Sequence, residues 1–177
     1  MEKVTVFDKT FEISIHHDVI LERIGKLATQ MNEDLKDKEV IFLGILNGSF
    51  MFASDLYKQI TVPSLISFLK LASYQGTTTS GKVKRLIGIN EDIANKTVVI
   101  IEDIVDTGIT LEQIIKQLKG YDPAEIKVAT LLFKPEAYQK DFDIDYIGFS
   151  IPPEFIIGYG LDYDGLARNL PHIYKLV

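Results

Sequence analysis

Residues 98–110 read VVIIEDIVDTGIT. Val98, Val99, Ile100 and Ile101 run without polar interruption, as in a strand covered on both faces. They lead straight into Glu102, Asp103, Asp106, Thr107, Gly108 and Thr110, after which helical spacing begins. The pattern predicts a strand that ends in carboxylates and is followed by a helix. In an open α/β sheet the carboxyl ends of the strands border the ligand crevice, so acids placed there meet substrate hydroxyls or a divalent cation such as magnesium. Thr107, Gly108 and Thr110 then offer hydroxyls and unhindered backbone at a helix N-terminus, where free N–H groups and the helix dipole attract a phosphate. The plain alternative is an N-cap by Asp106 or Thr107, but a cap gives Glu102 and Asp103 no reason to end an apolar strand.

The same strand-then-helix rhythm extends in both directions. Val40–Leu46, VIFLGIL, is an apolar run of strand length closed by Asn47-Gly48, with a helical stretch over 50–60. Further strands are predicted at 64–72, 97–101, 126–133 and 146–151, and a helix at 110–119. Ile20, Leu21, Ile24, Leu27, Ala28 and Met31 recur at helical spacing within 14–35, an amphipathic helix. These alternations predict an α/β fold, a mainly parallel central sheet flanked by helices. Short strand candidates at 3–7 and 10–13 and a Gly-, Asp- and Pro-rich tail from Pro152 break the rhythm and predict a small hood. The expected organisation is one domain over 1–177: a core of about 15–151, a hood of 1–14 plus 152–177, and a polar, mobile lid loop over 73–85.

Of the 177 residues, 46% are hydrophobic and 25% charged, and a chain of this length buries roughly 70% of its unfolded surface, so no staple is required. With no cysteine, thiol nucleophiles, disulfides and Cys-ligated zinc are excluded. A net charge of -6 without a basic run disfavours nucleic-acid partners, and neither a signal peptide nor a membrane span is visible, so a cytoplasmic protein is expected. Residues 76–83, GTTTSGKV, miss the phosphate-loop pattern at Val83, where a magnesium-binding hydroxyl is needed. Asp141, Asp143 and Asp145 lack the glycine and closing glutamate of a calcium loop. His16, His17 and His172 read as surface residues.

EDIVDTGIT resembles the phosphoribosyl pyrophosphate (PRPP) signature of type I phosphoribosyltransferases. In particular the chain is similar to hypoxanthine-guanine phosphoribosyltransferases through GILNGSFMFASDL at 44–56, Ser73-Tyr74, LLFKP at 131–135 and EFIIGYGLDYDGLARNLPHI at 154–173. The resemblance implies transfer of the 5-phosphoribosyl group from PRPP to N9 of hypoxanthine or guanine, giving nucleoside monophosphate and pyrophosphate with Mg2+ as cofactor. It implies that Glu102 and Asp103 face the ribose hydroxyls and a magnesium ion, and that the turn of Asp106, Thr107, Gly108, Ile109 and Thr110 holds the 5′-phosphate. Asp106 would be the acid/base group at purine N7. Lys134 would donate to the 6-oxo group, Phe155 would stack on the base, and Ile156 would read its edge through backbone groups. Asp162 would hold a second magnesium; Asn47, Gly48 and Arg168 would contact pyrophosphate; Ser73 and Tyr74 would work on the lid. A Leu46–Asn47 peptide capable of cis geometry and a homodimer or homotetramer are also implied. Two departures stand out: Asn47, where members often carry lysine, and Ile109, where some carry a basic residue. Xanthine as the preferred base, and a nucleotide-sensing RNA-binding regulator on the same fold, are the other readings.

Overall fold

The computed structural model describes residues 3–74 and 83–177. In chain order its elements are β1 (Lys3–Val6), β2 (Lys9–Ile15), α1 (His17–Asp34), β3 (Val40–Leu46), α2 (Phe50–Tyr57), β4 (Ser64–Tyr74) and β5 (Val83–Ile87). They continue with β6 (Thr97–Val105), α3 (Ile109–Lys119), β7 (Glu125–Phe133), β8 (Tyr146–Ser150), β9 (Ile156–Ile157) and β10 (Ile173–Leu176). The larger sheet runs β5-β4-β3-β6-β7-β8. Its strands pair in parallel except β5, which lies antiparallel along β4. A smaller antiparallel sheet, β1-β2-β10-β9, joins the two ends of the chain.

The unbroken apolar strands are explained by helices on both faces. Phe42, Val99 and Ile101 pack with Ile20, Ile24, Leu27 and Met31 of α1 and Phe52 and Leu56 of α2. Their sequence neighbours Ile41, Leu43, Val98 and Ile100 point the other way, onto Leu111, Ile114 and Leu118 of α3. Each such side chain removed from water contributes about 1.5–3 kcal/mol. The hood has its own small core of Phe11, Ile157, Ala167 and Tyr174.

Several expected boundaries move, including the strand expected at 10–13, which spans Lys9–Ile15, and the loop expected over 73–85, whose ends belong to β4 and β5. The helix expected from residue 14 begins at His17, because Ile13 and Ile15 are held in β2 by pairing with Tyr174 and Ile173 of β10. The helix expected to reach 60 ends at Tyr57, where Gln59 and Ile60 close onto Leu56 and Tyr57 in a tightened last turn. The strand expected to end at residue 101 continues to Val105, with Glu102 paired to Thr130 of β7, so Glu102 and Asp103 lie within β6 rather than beyond it. One of the histidines, His172, is more than a surface group. The His17 backbone N–H, an unsatisfied donor at the start of α1, is bonded to Nδ1 of His172 at 2.9 Å, which ties the hood to the core. Of the expected lid, Ser73 and Tyr74 end β4 opposite Lys84 and Val83; residues 75–82, with most of the phosphate-loop-like stretch, lie outside the described residues.

Candidate active site

Parallel strands bring the C-terminal ends of β3, β6 and β7 to one edge of the sheet, and most of the predicted residues gather there. Glu102 is 7% exposed, and among the described residues neither it nor Asp103 forms an ion pair. Burial, followed by the Asp103 charge, raises the Glu102 pKa well above the usual carboxylate range. Burial also pushes Asp103 up to about 6, opposed by the Ile104 N–H that donates to its Oδ1 and by the charge of Arg168. Glycine at position 48 is what lets Asp103 in. A Cβ there would stand 1.6 Å from Asp103 Oδ2.

Raised carboxylate pKa values mean that the native chain holds these protons more tightly than the unfolded one. For Asp103 that stabilisation is full below the unfolded value of 3.8 and is lost as the pH rises through about 6. Asp103→Asn keeps an acceptor for Ile104 but has no charge to bury. In chelator-treated protein it should raise the melting temperature by a few degrees at pH 8 and change it little at pH 4, since a pKa unit is worth about 1.4 kcal/mol. Equal melting curves at pH 8 would show that the buried carboxylate carries no such cost.

Past β6 the chain turns sharply. Gly108 has φ 80, and a Cβ on it would meet the Tyr138 ring at 2.6 Å and Lys140 Cγ at 2.8 Å. Lys140 reaches on to Glu112 at 2.7 Å, and the Thr107 carbonyl accepts the Gln139 N–H at 3.2 Å, so the segment after β7 buttresses the turn. The cap residue of α3 is Gly108, with no side-chain cap hydrogen bond. The cap position itself thus falls to neither Asp106 nor Thr107, and among the described residues Thr107 engages the first turn through a long contact, 3.4 Å from its Oγ1 to the Ile109 N–H. Residues Glu102 through Gly108, with Thr110 and Leu111, line a cavity of about 210 Å³. At its rim Asp106 is half exposed and meets Lys134 Nζ at 3.2 Å.

Asp162 and Arg168 of the hood lie close enough to Asp103 for their charges to act on its carboxyl. Arg168 pairs with Asp162 Oδ1 at 2.6 Å and donates from Nη1 to the Gly160 carbonyl at 2.7 Å, while Asp162 Oδ2 accepts the Gly165 N–H. Gly160 rests on the chain at Gly48: a Cβ at 160 would lie 2.1 Å from the Gly48 carbonyl oxygen. The Leu46–Asn47 peptide is cis, and Asn47 is exposed. Phe155 is 44% exposed and packs on Phe11 and Tyr163, with ring centroids at 6.0 and 5.6 Å; its neighbour Ile156 is buried in β9. Thus Glu102, Asp103, Gly48, Asp162 and Arg168 converge on one side and Asp106, Lys134 and the 107–110 turn on the other, whereas the Phe155 ring contacts lie within the hood.

Residues 14–164 match the family model of the phosphoribosyl transferase domain. The chain belongs to that family. Hypoxanthine phosphoribosyltransferase of Salmonella typhimurium is 40% identical over 171 residues, covering 95% of this chain and 96% of the relative. Hypoxanthine-guanine phosphoribosyltransferase of Staphylococcus epidermidis is 44% identical over 158 residues, 89% of this chain and 87% of the relative. Among solved structures, a hypoxanthine phosphoribosyltransferase from Staphylococcus aureus superposes with a TM-score of 0.83 at 39% identity, covering 94% of this chain and 91% of that one.

Some contacts around the site of this phosphoribosyltransferase leave no trace in its sequence. Tyr138 and Lys140, which wedge against Gly108, sit in an aperiodic stretch where nothing local marks them. Asp55 and Tyr159, joined at 2.5 Å, lie 104 positions apart, so only the fold brings them together.

Proposed function

We propose that the chain is a purine salvage enzyme that moves the 5-phosphoribosyl group of PRPP to N9 of hypoxanthine or guanine, forming IMP or GMP and pyrophosphate. The observation that carries this reading is the β6 end itself. Buried Glu102 and half-buried Asp103, neither ion-paired among the described residues, an α3 N-terminus without a side-chain cap and the Asp106–Lys134 pair stand in one chain segment and its neighbour. The uncapped N–H groups and Thr107 and Thr110 hydroxyls receive the 5′-phosphate. Glu102 and Asp103 face the ribose hydroxyls. Lys134 donates to the 6-oxo group, which selects against a 6-amino purine because that group is itself a donor. Asp106 manages the proton at N7, Phe155 offers its exposed face to the base, and Ile156 presents backbone groups. Arg168, with the backbone at Asn47 and Gly48, holds the leaving pyrophosphate.

Magnesium fits the carboxylate pair by donor chemistry: it favours one or two carboxylates completed by substrate oxygens, and no cluster of three or more ligating side chains encloses an ion among the described residues. Bound there, it would neutralise charge on the departing pyrophosphate. Asp162 fits a second ion less readily, because both its oxygens already accept bonds from Arg168 and Gly165. We further infer, from the resemblance, closure of a lid through Ser73 and Tyr74, a homodimer or homotetramer, and a cytoplasmic enzyme; among the described residues no helix is long and apolar enough to cross a membrane. Neither xanthine as the preferred base nor an RNA-binding regulator has an observation in its favour.

Incubation with PRPP, magnesium and each of five free bases tests the reading: IMP and GMP are expected, and no nucleotide from any base would refute it. Lys134→Ala separates the roles within the site. It should raise KM for hypoxanthine about tenfold or more, the worth of a charge-assisted hydrogen bond, while PRPP affinity changes little. Equal losses for both substrates would make Lys134 a structural residue.

A further inference from the structure

Tyr159 is 1% exposed and takes a backbone φ of 48, which bulky residues rarely adopt. Its hydroxyl donates to Asp55 Oδ2 at 2.5 Å, linking the hood to α2, the helix that begins directly after the 46–49 turn. Burial and then the Asp55 carboxylate raise the pKa of this hydroxyl, so it stays a donor. The next residue, Gly160, is the one that rests on the Gly48 carbonyl and accepts from Arg168 Nη1. Its N–H is in turn bonded to the Arg168 carbonyl at 3.0 Å, and the Tyr159 N–H to that of Leu170 at 2.8 Å. Asp55 therefore reaches Arg168 through a short chain of contacts: Asp55, Tyr159, Gly160, Arg168.

The base side of the hood is held differently. Ile156 and Ile157 pair with Lys175 and Tyr174 of β10, and Phe155 leans on Phe11 and Tyr163. None of these contacts passes through Asp55. We propose that Tyr159 and Asp55 are positioning residues for the pyrophosphate half of the site: their bond sets Gly160 on Gly48 and so aims Arg168, while the base half is registered independently by the hood sheet. The proposal rests on the transferase function above and deepens it by assigning which substrate the pair serves.

Steady-state kinetics of the full-length chain test it, with thermal melting recorded alongside. Tyr159→Phe removes only the hydroxyl, and Asp55→Leu removes the acceptor from the other side. Each should raise KM for PRPP about tenfold, the scale of one hydrogen bond to a charged group, with KM for hypoxanthine unchanged within twofold. The double variant should be no worse than either single one, since both break the same bond. Asp55→Asn keeps an acceptor and should behave as wild type. Tyr159→Phe kinetics equal to those of an active wild type, or KM values for both substrates rising together, would overturn the pair's role alone. A wild-type chain that makes no nucleotide would overturn the transferase function instead.

Discussion

Asp106→Asn is expected to lower turnover by roughly two to four orders of magnitude, the usual worth of a positioned acid/base group. The side chain is half exposed and pairs with Lys134 at 3.2 Å, so it contributes little to the core. An exposed pair of this kind is worth about 1 kcal/mol or less. Asn keeps the size and an acceptor but cannot take or return the N7 proton. The loss should therefore fall on kcat, while PRPP binding and the melting temperature stay near those of the wild type. Single-turnover rates beside a PRPP titration separate the two quantities. A variant that turns over at the wild-type rate would remove Asp106 from the chemistry, and one that no longer binds PRPP would make it a binding residue.

Gly48→Ala should be nearly as damaging for a different reason. The added methyl would stand 1.6 Å from Asp103 Oδ2, so one of the two groups must give. A carboxylate at the end of a side chain moves more cheaply than the backbone of the 46–49 turn, whose Gly48 carbonyl lies under Gly160. Asp103 is thus expected to swing out of its place beside Glu102, leaving the fold intact. Displacement of a substrate-positioning group by about 1 Å costs on the order of a hundredfold, so kcat/KM for PRPP should fall by at least about that factor. Gly160→Ala is the useful contrast. There the new methyl would meet the Gly48 carbonyl oxygen at 2.1 Å, from a residue at φ 101, and neither partner has a side chain to move. That variant should lose melting temperature as well as activity. If Gly48→Ala melts early and Gly160→Ala does not, the assignment of which contact is soft is wrong.

What residues 98–110 and the other apolar runs determined by themselves was the architecture: uninterrupted strands demand cover on both faces, and helical spacing between them supplies it. The same stretch placed carboxylates and a glycine turn before a helix at a sheet edge, because the chain order strand, acid, turn, helix is local information. Boundaries were harder to read. β6 runs on through Glu102 and Asp103 since its partner β7 continues to offer hydrogen bonds, a fact about a neighbour distant in sequence. The same holds for Ile13 and Ile15, which entered β2 because β10 lies beside them. Only the tertiary structure put Gly160 on Gly48, Asp103 against Gly48, and Tyr159 on Asp55. Those contacts depend on two backbones approaching closely or on a polar pair closing across 104 residues, and neither leaves a periodic trace in the chain. His172 shows the point most simply: as one histidine in a tail it reads as surface, and its task of satisfying the His17 N–H exists only once hood and core have met.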